Sequence, residues 1–199
     1  MKPDTTTRTQ RFNTTRFGEV EIEEKEILFF PEGLPGFQEF NHYVLLKDPG
    51  QDPFLWMQST QAPDLAFVVV DPFIFFPGYE IQVKPYELST IELEDVSKAT
   101  VLVILTIPEN PMDLTANLRG PLVVNADRNL AKQLVLIDDR YHTRHFLLKE
   151  LPPYLASPLN PAEPAIDSQK TSTTTDPVVR EKPAKRNQQR PYNPKRRQQ

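Results

Sequence analysis

Apolar positions come in short runs, each stopped by proline, glycine or acid, and no run is long enough for a regular helix. The densest stretch is Leu65 to Val83, LAFVVVDPFIFFPGYEIQV. Leu65 to Val70 is apolar and rich in β-branched residues, which favours a strand. Asp71-Pro72 removes a backbone donor and fixes φ, which stops it. Phe73 to Phe76 restart the apolar run and Pro77-Gly78 stops it again. Tyr79, Ile81 and Val83 then alternate with Glu80, Gln82 and Lys84, the period of a half-buried strand. Strand, corner, aromatic run, corner, strand is β architecture with little room for a helix, and it marks the centre of the core. Trp56, Phe67, Phe75, Val103 and Leu105 are assigned to that core.

The same reading places further strands on both sides. Asn13 to Ile22 reads as one strand with Gly18 at a bulge or turn. Lys25 to Phe30, Tyr43 to Leu46 and Phe54 to Gln58 follow. Pro85 to Ser89 allows one helical turn. Thr100 to Ile107 is apolar without alternation, which predicts a strand buried on both faces. Leu114 to Leu118, Leu122 to Asn125 and Ala131 to Ile137 complete the set, with Ala126 to Asn129 as a hairpin loop. About nine or ten short strands at 8–12-residue spacing predict a sandwich or barrel. The fold expected is all-β, a small antiparallel barrel-like domain of short strands with a disordered C-terminal tail.

Composition adds boundaries. Residues 1–11 are polar and threonine-rich, a disordered arm; 12–150 form the folded domain. From 151 to 199 the chain turns proline-rich, then polar, then basic, with nine of the 21 prolines. Too little apolar surface is available there to offset the entropy of ordering, so 151–199 is expected to be a disordered tail. Charge divides the same way. Phe17 to Glu150 holds 10 Lys and Arg against 22 Asp and Glu, whereas Val178 to Gln199 holds eight basic residues and one acid. A tail of +7 tethered to a body of −12 is expected to visit that body weakly and in a salt-sensitive way. There is no cysteine, which excludes disulfides and thiolate metal sites. No apolar N-terminal leader is visible, and the apolar runs, Val101 to Leu105 among them, fall far short of the roughly 18 residues of a membrane helix. These features point to a soluble, cytoplasmic protein.

Candidate chemistry is sparse. His142 and His145, with Asp138 and Asp139 nearby, have a metal-like spacing, but at the end of a strand i and i+3 face opposite ways, and exposed polar residues at a domain edge account for them. His42 stands alone. No phosphate-binding, dinucleotide or nucleophile-elbow motif occurs. Metal and cofactor are expected to be absent, and an enzyme is not expected. The aromatic run at Phe73, Phe75 and Phe76 reads as core rather than ligand pocket. PEGLPGF, Pro31 to Phe37, packs two prolines and two glycines into seven residues. Such a loop costs little entropy to hold in one shape, which suits a docking surface; a rigid turn across a barrel end would read the same way.

Three segments resemble the FliW family of flagellar assembly factors: FGEVEIEEKEILFFPEGLPGFQEFNHYVLL, APDLAFVVVDPFIFFPGYEIQV and VLVILTIPENPMDLTANLRGPLVVNADRNLAKQLVL. They cover most of residues 17 to 137 in the family's order. The arm and the tail lie outside the resemblance. It implies a non-catalytic, barrel-like cytoplasmic protein that binds flagellin and the translational repressor CsrA. CsrA held in this way no longer blocks translation of flagellin messenger RNA, and accumulating flagellin takes the factor away again. Candidate partner-contact residues are Pro31, Glu32, Gly33, Leu34, Pro35, Gly36 and Phe37, with Asp71, Pro72, Phe73 and Asn117 from the family-like segments. An acidic body can speed encounter with a basic partner and disfavours direct contact with nucleic acid phosphates. An RNA-binding regulator working through the basic tail is the alternative.

Overall fold

The computed structural model describes residues 8–148. The tail from 151, and the first seven residues of the arm, lie outside the described residues. Among the described residues there are eleven short strands: β1 (Thr9–Thr14), β2 (Gly18–Glu23), β3 (Leu28–Phe29), β4 (His42–Lys47), β5 (Leu55–Ser59), β6 (Ala66–Val70), β7 (Thr100–Thr106), β8 (Thr115–Ala116), β9 (Leu122–Asn125), β10 (Leu130–Gln133) and β11 (His145–Phe146). Seven of them close a barrel in the order β7-β6-β5-β4-β3-β10-β9, with β9 pairing back onto β7. All pairings are antiparallel except the β3–β10 seam, which is parallel and joined at Phe29 and Leu130.

β7 explains its own composition. Thr100 to Leu102 pair with β9, Val103 and Ile104 with β6, and Leu105 and Thr106 with β8. One strand serves three partners along its length, and both of its faces are covered. Leu102 points into a cluster that draws a residue from every barrel strand, including Leu28, Tyr43, Met57, Val69, Leu122 and Ala131; this is the barrel interior. Val101, Val103 and Leu105 pack on the opposite face with Val68, Val70, Phe75, Tyr79, Leu118, Leu136 and Leu147. The lack of alternation in TVLVILT therefore reports burial on both faces, as expected. Phe75, Val103 and Leu105 are buried core, while Trp56 and Phe67 are half-buried and pack at the margins.

Five local readings need correction. Phe73 to Phe76 do not form an extended run. Pro72–Phe75 is a single α-helical turn, α1, started by the Asp71 carboxylate, whose Oδ1 accepts from the Phe73 N–H at 2.8 Å, with proline at the first position. Tyr79 to Val83 alternate in burial but pair with no strand among the described residues; one-sided burial is enough to produce that pattern in an irregular extended segment. Asn13 to Ile22 is not one strand but the β1–β2 hairpin, turned at Gly18 (φ +69°). Its first strand begins at Thr9, so Thr9 to Arg11, read as arm, are strand, paired with Glu21 to Glu23. Within Lys25 to Phe30, Glu24–Glu26 is a 3-10 turn and only Leu28–Phe29 is strand. Among the described residues, no helix is long and apolar enough to cross a membrane.

Candidate docking surface

PEGLPGF leaves β3 and folds into consecutive turns. The N–H groups of Gly33, Phe37 and Phe40 donate to the carbonyls of Phe30, Leu34 and Phe37, at 2.9, 2.8 and 3.0 Å. Gly33 sits at φ +66°, and a Cβ there would lie 2.8 Å from the Cα of Gln38, so both the angle and the space demand glycine. Leu34, 1% exposed, plugs the barrel interior. Phe37 stands edge-on to Phe67, ring centroids 5.2 Å apart. Glu32 anchors the loop from outside through Lys132 of β10, Nζ to Oε1 2.8 Å, and the same ammonium reaches the Thr90 hydroxyl at 3.4 Å. Hydrogen bonding to Lys132 holds the Glu32 carboxyl below the ordinary glutamate value.

The loop forms one wall of an open, mainly apolar hollow of about 470 Å³, with Leu34, Pro35, Phe37, Phe67 and Ile104 on one side and Asn117, Arg119, Gln133, Val135 and Thr143 on the other. Asn117 is there because it makes a turn. Its Oδ1 accepts from the Gly120 N–H at 2.9 Å and its own N–H donates to Ile104 at 2.9 Å. The Gln133 amide closes the turn onto the Gly120 carbonyl at 2.9 Å.

The structure therefore brings Leu34, Pro35, Phe37 and Asn117 to one hollow, with Pro31, Glu32, Gly33 and Gly36 in the same loop. Asp71, Pro72 and Phe73 lie elsewhere. Asp71 caps α1, Pro72 is buried, and Phe73 tilts against Tyr79 (5.9 Å) at a separate hollow of about 460 Å³. The rings of His142 and His145 stack at 6.1 Å, and His145 also meets the Phe76 ring edge-on at 5.3 Å. Among the described residues, no group of three His, Cys, Asp or Glu is placed to hold a metal ion. Sequence reasoning missed Lys132, Arg119, Val135 and Thr143. Each is an ordinary residue at the end of a strand or in a turn, and only barrel closure carries it to the loop.

The model of the FliW protein family matches residues 11–147. The chain belongs to the FliW family. FliW relatives include the flagellar assembly factor of Alkaliphilus metalliredigens (strain QYMF), 40% identical over 139 residues, 69% of this chain and 86% of that one. The flagellar assembly factor FliW of Treponema denticola (strain ATCC 35405) is 42% identical over 138 residues, 69% of this chain and 93% of that one. A crystal structure of the flagellar assembly factor FliW superposes with a TM-score of 0.64 at 38% identity, covering 69% of this chain and 96% of that chain. The FliW region thus holds the whole barrel, the loop and the Asn117 turn.

Proposed function

We propose that this chain is a flagellar assembly factor that works by partner exchange in the cytoplasm, without catalysis. It binds flagellin and a CsrA-type translational repressor in mutually exclusive complexes. Holding the repressor frees flagellin messenger RNA for translation, and free flagellin returns the repressor to its task. The partners proposed are those that the resemblance to the FliW family implies. The observation that carries the docking reading is the open apolar hollow walled by a loop held in one shape by Gly33, buried Leu34 and the Glu32–Lys132 pair. A pre-shaped wall loses little entropy on binding. The acidic body favours a basic protein partner over phosphate, so the folded domain does not bind RNA directly.

Two partners give a switch only if they exclude each other or are coupled in free energy. Purified flagellin monomer should displace CsrA from this protein, and CsrA should weaken flagellin binding by the same factor. A ternary complex with unaltered affinities would overturn exchange. A second reading rests on Val178 to Gln199, with eight basic residues and one acid: RNA binding through the tail. Salt-dependent RNA binding that disappears on removing 178–199 would favour it.

A further inference from the structure

Beyond β10 the chain stays extended, with no ladder partner on one side among the described residues. The N–H groups of Leu134 and Leu136 donate to the carbonyls of Pro121 (2.9 Å) and Arg119 (2.8 Å), and both side chains are buried. By strand alternation, the N–H and C=O groups of Val135 and Ile137 point to the other edge. No described residue hydrogen-bonds to them. Their side chains stand out, Val135 70% and Ile137 90% exposed, the latter the most exposed large hydrophobic of the described residues. Across from this edge runs the extended segment Ile81 to Val83, whose N–H groups also lack hydrogen-bond partners among the described residues. A hollow of about 510 Å³ separates the two, with Gln82, Val83 and Glu87 on one side and Val135, Ile137 and Asp138 on the other.

We infer that this slot is a strand-docking site, taking an extended peptide segment of a partner protein that alternates apolar and basic residues. Main-chain pairing to the Val135–Ile137 edge would supply the binding, and the exposed valine and isoleucine would meet the apolar positions on one face. The rim fixes the sign of the charge. Of the charged residues that line the hollow, Glu80, Glu87 and Asp138 stand against Lys84, a net of −2, on a body that is itself acidic. Arg140 is already committed, bridging Glu80 at 3.0 Å and Asp138 at 2.7 Å. The slot shares Val135 with the loop hollow and is otherwise lined by different residues.

The test uses the full chain and a short synthetic peptide alternating valine with arginine and lysine. A control peptide of the same sequence carries N-methyl groups on the amides that would donate to the edge. The parent peptide is expected to slow hydrogen exchange at the Val135 and Ile137 amides and to bind about tenfold or more tightly than the control. The exposed-site variant Val135→Lys/Ile137→Lys should lose binding while its melting temperature holds. Equal binding of both peptides would reduce the site to plain electrostatics and overturn the inference. So would exchange protection confined to Leu34 to Phe37, or no binding at millimolar peptide. Val135 and Ile137 amides already protected in the peptide-free chain would also overturn it, since the edge would not be open.

Discussion

The Lys132 ammonium lies 2.8 Å from the Glu32 carboxylate, and this contact fastens the loop after β3 to β10, a hundred residues later in the chain. Lys132 is mostly buried and Glu32 half-exposed, so the pair is worth no more than about 1 kcal/mol by the usual range for such contacts. Its pH dependence has a definite sign. The Glu32 carboxyl is lowered in the folded state, chiefly by hydrogen bonding to Lys132. The stabilisation is therefore present above the ordinary glutamate value and lost as pH falls through the lowered folded value. The melting temperature of Glu32→Gln should lie below that of the parent at pH 7, and the two should converge as pH drops below about 4. A gap that stays constant down to pH 3 would show that the pair adds no pH-linked stability.

Two buried tyrosines make opposite predictions. The Tyr79 hydroxyl donates to the Leu118 carbonyl at 2.6 Å, so Tyr79→Phe leaves that acceptor without its donor and should cost about 1–3 kcal/mol. The Tyr43 hydroxyl, fully buried beside Phe30, has no protein partner among the described residues. Tyr43→Phe should be neutral or stabilising in urea unfolding. Burial, with a smaller contribution from Glu39, pushes the Tyr43 phenol up to about 12. Stability associated with its neutral form is full below the unfolded value near 10 and lost as pH rises toward 12, so Tyr43→Phe should lose less stability than the parent across that window.

Phe73 and Phe75 sit two residues apart in α1 and should separate cleanly. Phe75, 7% exposed, packs in the outer cluster with its ring stacked near Phe54 at 6.1 Å. Phe75→Ala should cost about 3–5 kcal/mol by chemical denaturation. Phe73 is 45% exposed, and Phe73→Ala should cost about 1 kcal/mol or less. A comparable loss for both would place Phe73 in the core.

The contrast within α1 also shows what the sequence could tell. Continuous apolar character in Thr100 to Ile107 gave a strand buried on both faces, because burial on both sides demands it. The Asp71-Pro72 corner was legible as a stop, but not as a helix start, since a capped single turn and a break carry the same residues. Alternation at Tyr79 to Val83 read as a strand because side-chain burial, not backbone pairing, sets the pattern. PEGLPGF was legible as a shaped loop from its glycines and prolines. Its other neighbours across the hollow were not, because Arg119, Gln133 and Val135 reach it only through closure of β9 and β10 onto β3 and β7.

Leu34 and Pro35 are adjacent in the loop, and their different burial decides which of them can report on docking. Leu34 fills the barrel interior against Phe30, Tyr43 and Val69, so Leu34→Ala should cost about 2–5 kcal/mol and lower every activity through loss of fold. Pro35 is exposed on the wall of the hollow. Pro35→Glu keeps Gly33, Leu34 and Gly36 in place and adds a charge where an apolar partner surface would sit. Its melting temperature should stay within a few degrees of the parent, while affinity for flagellin or for CsrA falls about tenfold or more, since an unpaired charge would be desolvated in the contact. Isothermal titration of both partners against both variants checks this. Unchanged affinities for Pro35→Glu would remove the loop hollow from the docking surface and leave partner contact to other faces of the barrel.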